Sequence, residues 1–220
     1  MRKALLGVLI AFSIMAGFLF LAGLGFFLSY GPATQSSADA IRIEEKGEVI
    51  SFLPLSVSSR QGIVIYPANL VSPWQYQDSV EALALSGRKV FVVEPDWRLS
   101  TTGPKVLADL QEQNAEINRW YLIGNSAGAG LACRDKDANP SIISEAIVVN
   151  GYCKGFSFKP QLAIFGSGDW LVRSSAHTSQ AQKSEVASGG HFLLTDRKKS
   201  QPGHSETVSM ILQYLDGQNP

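Results

Sequence analysis

The chain has 220 residues, and its 19 basic and 19 acidic side chains give a formal net charge of zero at pH 7. This balance argues against an electrostatic nucleic-acid binder, because such proteins need a basic surface. With 45% hydrophobic and 17% charged residues, the chain is too apolar to be disordered. Its two cysteines and three histidines show no zinc-type spacing, so we expect no metal site.

An apolar segment at the N-terminus predicts a single transmembrane helix. Every residue from 4 to 28 except Ser13 is apolar or small, and about 25 helical residues reach about 37 Å, enough to cross a hydrocarbon core of about 30 Å with some tilt. Arg2 and Lys3 precede the segment, and the next basic residue is Arg42. The positive-inside rule therefore predicts a cytoplasmic N-terminus and an extracytoplasmic domain.

A signal peptide is the alternative interpretation of this segment, and its cleavage would leave a secreted protein. In either case the chain divides into three parts. Residues 1–30 form the membrane anchor or uncleaved signal, and residues 31–40 form a short linker that is rich in serine and alanine. Residues 41–220 form the folded domain.

Short apolar runs recur beyond the linker and predict the strands of an α/β domain. Segments with helical spacing, such as residues 76–85 and 106–117, separate most of them. Apolar strands that alternate with helices indicate a mostly parallel sheet with helices on both faces. A one-sided apolar stripe predicts a last helix over residues 206–215. The predicted strands are residues 49–53, 63–66, 90–93, 120–123, 146–149 and 162–165.

The turn after the fourth of these strands carries the strongest chemical signal. Residues 124–128 read Gly-Asn-Ser-Ala-Gly, a G-x-S-x-G pattern that follows a strand and leads into a predicted helix over residues 127–133. In this strand-turn-helix setting a strained turn exposes the serine hydroxyl, here that of Ser126. The free N–H groups of the helix N-terminus can stabilise an oxyanion that forms beside it.

Two other interpretations of this turn are open. With Gly130 the turn also resembles the phosphate-binding turn of short-chain dehydrogenases. Against that family, several strands precede the turn, the next strand ends at Asn150 rather than at an acidic residue, and no tyrosine is followed four residues later by lysine. The second alternative is a turn of small residues that serves packing alone.

A nucleophilic serine needs a base and a group that orients the base, and both follow later in the chain. Asp169 ends a glycine-rich turn after the strand at residues 162–165, and His191 follows two glycines after a candidate strand at residues 185–187. We therefore predict Ser126, Asp169 and His191 as a catalytic triad. Asp169 is also a candidate helix N-cap, a role compatible with the first, and His191 has the alternative of a surface loop residue.

Other reactive side chains receive secondary interpretations. Asp96 follows the strand at residues 90–93 and is the alternative acid. His177 is predicted on a helix after Asp169, and His204 lies near the start of the last helix; neither ends a strand. The two cysteines, at positions 133 and 153, are either buried small apolar side chains or one disulfide.

Taken in order, these motifs resemble the α/β-hydrolase superfamily, in particular its small esterase or lipase-like members with little or no lid, the group called alpha/beta hydrolase fold five. The resemblance spans about residues 62–216. The parts that match are the oxyanion-loop strand, which in this group often ends Tyr-Pro-Gly, at residues 63–71, the nucleophile elbow at 124–128, the acid turn at 166–169 and the histidine loop at 189–191.

The resemblance implies that Ser126 is the nucleophile, His191 the base and Asp169 the residue that orients it. The oxyanion donors would be the backbone N–H of Ala127 and that of either Ala68 or Asn69. Ala68 stands where this group commonly has glycine.

From this resemblance we expect a serine hydrolase that cleaves an ester or similar acyl bond of a small-molecule or lipid-like substrate, through an acyl-enzyme and without a cofactor. The alternatives are a non-catalytic, membrane-tethered binding protein with the same fold, and an acyltransferase that uses the same triad. Only residues 151–160 are available between the two strands where a lid is often inserted. This short connection predicts an open, shallow site.

Overall fold

A computed structural model describes residues 7, 10, 12–21, 23, 39–56, 60–94, 98–99, 106–172, 181, 183–195 and 202–218. Residues 12–21 are helical. Among the residues described, none of the helices combines the length and the apolar character that a bilayer span requires. Much of the predicted anchor, together with Asp96 and His177, lies outside the described residues.

Eight strands of the described part of the chain form one mixed sheet. They are β1 (Ile41–Lys46), β2 (Val49–Pro54), β3 (Gln61–Tyr66), β4 (Lys89–Val93), β5 (Arg119–Asn125), β6 (Ile143–Val149), β7 (Leu162–Gly166) and β8 (Lys183–Ala187). Their order in the sheet is β1-β2-β4-β3-β5-β6-β7-β8. β2 pairs antiparallel with β1 and β4, and the remaining pairs are parallel. The predicted mostly parallel sheet is therefore confirmed.

Helices cover both faces of this sheet, and the alternation of side chains along β3 shows how. Ile63 and Ile65 pack in one apolar cluster with the first and last helices, whereas Val64 and Tyr66 pack in a second cluster with the middle two. Both faces of a central parallel strand are thus buried, which explains its unbroken apolar sequence. Within the described part of residues 41–220, the helices are α1 (Gln77–Leu85), which follows a 3-10 turn (Pro73–Tyr76), α2 (Val106–Gln113), α3 (Gly128–Ala138) and α4 (Pro202–Gly217).

Several boundaries differ from those predicted. β1 was not predicted, because this edge strand is polar and mostly exposed. α2 ends at Gln113 rather than at residue 117, where the N–H of Ile117 instead donates to the Asn114 carbonyl in a turn. α3 continues to Ala138 through polar residues that carry no apolar stripe. α4 begins at Pro202, since proline fits the first turn of a helix.

A disulfide joins Cys133 on α3 to Cys153 in the segment after β6, which decides between the two interpretations of these cysteines. We expect that replacing both with alanine lowers the free energy of unfolding by about 2–4 kcal/mol, because the unfolded chain loses a constraint. Denaturation with and without a reductant measures this effect. The reductant should destabilise the wild type and leave the double variant unchanged; equal stability of all four samples would contradict the prediction.

Candidate active site

Ser126 lies on a strained turn directly after β5. Its φ is +52°, in the left-handed region that residues with a side chain rarely adopt. The turn is held by a 2.9 Å hydrogen bond from the N–H of Ser126 to the carbonyl of Val149 at the end of β6. The residue is half-buried.

The two glycines of the G-x-S-x-G pattern are required by close backbone contacts around this turn. A Cβ on Gly124 would lie 2.4 Å from the Cα of Ala129, and one on Gly128 would lie 2.1 Å from the carbonyl oxygen of Tyr66. Both contacts are with backbone atoms, which cannot move aside as a side chain can. The pattern therefore has a steric cause, in agreement with the strand-turn-helix interpretation.

The structure brings together the three side chains that the sequence analysis selected. The Oγ of Ser126 and the Nε2 of His191 are 2.8 Å apart, and the Nδ1 of His191 and the Oδ2 of Asp169 are also 2.8 Å apart. His191 is 8% exposed and the Asp169 side chain is fully buried. With the Nδ1 proton donated to the carboxylate, Nε2 is left to accept the proton of the serine hydroxyl.

The second carboxylate oxygen of Asp169 accounts for the capping role that was also considered. Its Oδ1 accepts hydrogen bonds from the N–H of Leu171 at 2.8 Å and from that of Val172 at 3.0 Å. One oxygen thus anchors the turn while the other faces the imidazole. Because both oxygens are engaged, the carboxylate has a fixed orientation relative to His191.

In the oxyanion loop after β3, the backbone N–H of Ala68 does not have the role predicted for it as a candidate oxyanion donor. The N–H of Ala68 donates to the hydroxyl of Tyr76 at 2.9 Å, and that hydroxyl donates to the Oδ1 of Asn125 at 2.8 Å. Since the single proton of the Ala68 N–H is committed to this buried bond, Ala68 is not placed as an oxyanion donor. Asn69 stays as the prediction for the second donor. Ala127 directly precedes α3, as expected for the first.

Tyr76 is a buried residue that the sequence analysis did not select. Burial raises the pKa of its hydroxyl well above the ordinary tyrosine value, so the group stays protonated and donates to Asn125 at any physiological pH. It links the oxyanion loop to the turn that carries Ser126. No periodic or motif signal points to this role, because it depends on a contact between residues that lie 49 positions apart.

We expect Tyr76→Phe to lower kcat/KM by about tenfold while the protein stays folded, because the oxyanion loop and the serine turn lose their shared hydrogen bonds. Ester hydrolysis and thermal unfolding of the purified variant measure the two effects. Tyr66→Phe is a matched control, since it removes a hydrogen bond from a buried tyrosine to Asp135. A rise in activity in Tyr76→Phe would contradict the prediction, because it would mean that Tyr76 only blocks the Ala68 N–H.

His204 lies apart from this arrangement, in the first turn of α4. Its Nε2 is 2.9 Å from the Oγ of Ser79 on α1, and the same hydroxyl donates to the carbonyl of Leu194 at 3.0 Å. His204 thus lies near the start of the last helix, as predicted, and contacts α1 through Ser79. Within the described part of the chain, no three His, Cys, Asp or Glu side chains are grouped so that they could hold a metal ion.

Comparison with known proteins places the chain in a family. Residues 62–192 match the profile of the Alpha/beta hydrolase family. The chain belongs to the alpha/beta hydrolase family. No curated protein sequence matches it significantly.

Solved structures similar to this alpha/beta hydrolase include hydrolases and esterases. A predicted CIB-like hydrolase from Thermoplasma acidophilum matches with a TM-score of 0.61 and 17% identity, over 80% of this chain and 98% of its own. An esterase from the Planctomycetes species Thermogutta terrifontis has a TM-score of 0.61 and 13% identity, over 82% of this chain and 95% of its own. An alpha-beta serine hydrolase homologue from Coxiella burnetii has a TM-score of 0.56 and 14% identity, over 83% of this chain and 100% of its own. At these identities the likeness establishes the fold.

Proposed function

We propose that the chain is a serine hydrolase that cleaves an ester or a similar acyl bond. The observation that carries this proposal is the pair of 2.8 Å contacts that join Ser126 to His191 and His191 to Asp169. A hydroxyl in contact with a histidine that is itself oriented by a carboxylate is the arrangement that activates serine for nucleophilic attack. The family membership and the esterases among the structural neighbours support the same chemistry.

In the proposed reaction, the Oγ of Ser126 attacks the ester carbonyl carbon while its proton moves to the Nε2 of His191. The carboxylate of Asp169 stabilises the imidazolium, and the N–H groups of Ala127 and Asn69 stabilise the oxyanion. When the tetrahedral intermediate collapses, the Nε2 proton passes to the leaving alkoxide, and an acyl-enzyme remains. A water molecule then gives its proton to Nε2 and attacks the acyl carbon, after which the proton returns to the Oγ of Ser126.

Exposed apolar side chains on the loops around the site support a substrate with an apolar acyl or alcohol group. Trp170 and Leu171 follow Asp169 directly and are 79% and 51% exposed, and Leu70, in the oxyanion loop, is 42% exposed. These side chains place apolar surface on the two loops that follow β3 and β7, at the edge of the sheet where the triad lies. Small-molecule and lipid-like esters both satisfy this requirement.

The N-terminal segment supports tethering of residues 41–220 to a membrane by residues 1–30, through a linker at residues 31–40. The helical residues 12–21 include exposed Phe12, Ile14 and Phe18. An extracytoplasmic location of the domain agrees with the disulfide between Cys133 and Cys153, since disulfides persist in oxidising compartments. Protease added to intact cells should then cleave the domain, whereas protection until lysis would place it on the cytoplasmic side.

Labelling with a fluorophosphonate probe tests the catalytic proposal. The probe phosphonylates a nucleophilic serine, and one structural neighbour, esterase 2 of Thermogutta terrifontis, is phosphoramylated by tabun. We expect one probe per chain in the wild type, none in Ser126→Ala, and full labelling in the control Ser141→Ala, which alters an exposed serine. Equal labelling of the wild type and Ser126→Ala would contradict the proposal.

A non-catalytic binding protein with the same fold is the second candidate, motivated by Ala68 standing where glycine is common. It predicts that the folded protein hydrolyses no short p-nitrophenyl ester or thioester. An acyltransferase would use the same three residues and differ only in the acceptor of the acyl group. Product analysis with an added alcohol separates transfer from hydrolysis.

A further inference from the structure

Asn150 is a fully buried residue at the end of β6 whose side-chain amide makes three hydrogen bonds. Its Nδ2 donates to the carbonyls of Gly190 at 3.2 Å and His191 at 2.9 Å, and its Oδ1 accepts from the N–H of Gly166 at 2.8 Å. Its own N–H donates to the carbonyl of Ile164 at 2.9 Å. The amide is thus engaged at both of its ends.

The partners of Asn150 belong to the two loops that carry the base and the acid. Gly166 opens the turn that ends at Asp169, and Gly190 and His191 form the histidine loop. The preceding residue, Val149, accepts hydrogen bonds from the N–H of Ser126 and from the side chain of Asn125. The end of β6 therefore contacts the segments of all three triad residues.

Asparagine suits both the hydrogen bonds and the backbone conformation of this position. It needs two donors and one acceptor in a short side chain, and its φ is +47°, which asparagine tolerates better than most residues. An aspartate would place a carboxylate against the carbonyls of Gly190 and His191. An apolar residue would leave buried backbone groups without partners, at a cost in stability.

We infer that Asn150 is a positioning residue that sets the separation of Asp169 and His191, and with it the contact between His191 and Ser126. This inference rests on the proposed hydrolase function. Asn150 touches none of the reacting groups. It acts through the backbone of the histidine loop and of the acid turn.

The test compares Asn150→Asp and Asn150→Gly with the wild type. Glycine removes the amide without backbone strain at positive φ, so it keeps the test valid if the aspartate variant does not fold. Asn139→Asp is the matched control, because its Nδ2 also donates to a backbone carbonyl, that of Asp135 on α3. We expect kcat for a p-nitrophenyl ester to fall about 100-fold in both Asn150 variants. KM should change by less than about threefold, and the control should stay within about twofold of the wild type.

A proton NMR measurement separates this inference from the proposed function. The Nδ1 proton of a histidine bonded to a carboxylate gives a signal far downfield, which does not depend on turnover. We expect this signal in the wild type and in Asn139→Asp, and its loss or a large shift in the Asn150 variants. Folded Asn150 variants with unchanged kcat and an unchanged signal would overturn the inference. A wild type that is inactive but loses the signal on Asn150 substitution would reject the hydrolase function alone.

Discussion

Replacing Ser126 with alanine is expected to lower kcat for ester hydrolysis by about 10⁴- to 10⁶-fold, and replacing His191 with alanine should cost about as much. The reason is that the two side chains act as one unit: the hydroxyl is a poor nucleophile without the imidazole, and the imidazole has no proton to accept without the hydroxyl. The double variant should therefore be no slower than either single variant. Steady-state kinetics of the three proteins, each checked for folding, measure this.

The variant Asp169→Asn can be compared with these variants in the same experiment. Asp169→Asn keeps an oxygen for the N–H groups of Leu171 and Val172, but it no longer stabilises the imidazolium or fixes the tautomer of His191. We expect a loss of about 10⁴-fold, the size found when a triad aspartate is replaced in serine proteases.

Additive losses in the Ser126 and His191 double variant would show that the two residues do not act together and would contradict the triad.

Gly128→Ala is expected to be strongly destabilising, with a loss of more than about 4 kcal/mol in the free energy of unfolding or a failure to fold. The added Cβ would lie 2.1 Å from the carbonyl oxygen of Tyr66 and 2.6 Å from that of Pro67. Relief of these contacts would require β3 and α3 to move apart. This movement would disrupt the packing on which the serine turn depends. Denaturant unfolding of the purified variant, or its solubility if it does not fold, measures the effect.

Gly130→Ala is the matched control, two residues further along the same helix. A Cβ there meets no atom within 4 Å, so the substitution should stabilise the protein by about 0.5–1 kcal/mol, the usual advantage of alanine over glycine inside a helix. The two substitutions thus have opposite expected signs. A Gly128→Ala variant as stable as the wild type would mean that the strand and helix do not approach as described.

The three candidate catalytic residues could be selected from the sequence because of a property of parallel sheets. Turns that follow parallel strands meet at one edge, so Ser126, Asp169 and His191 were expected to lie close together before any distance was known. Their roles in catalysis stay predictions until the kinetic variants are measured. The strand segments were readable for a related reason, since burial on both faces leaves an unbroken apolar run.

The residues whose hydrogen bonds support the site could not be recognised from the sequence in the same way. Tyr76 and Asn150 act through hydrogen bonds to backbone groups of distant loops, and a buried polar side chain in a sequence does not reveal its partner. The sequence also left open whether Ala68 or Asn69 is the second oxyanion donor, because the Ala68 N–H is bonded to a hydroxyl eight residues away, in a turn whose geometry the sequence pattern did not indicate. β1 was missed because an exposed edge strand lacks the apolar run used to find the others.

The end of β6 is attached to both Ser126 and His191. Ser126 is attached to it through the Val149 carbonyl and His191 through the Asn150 side chain. We therefore expect a displacement of the end of β6 to move both residues in the same direction and to keep the distance between the serine Oγ and the imidazole Nε2 nearly constant. In the proposed hydrolase, motion of the surrounding loops would then admit substrate and release product without separating these two atoms.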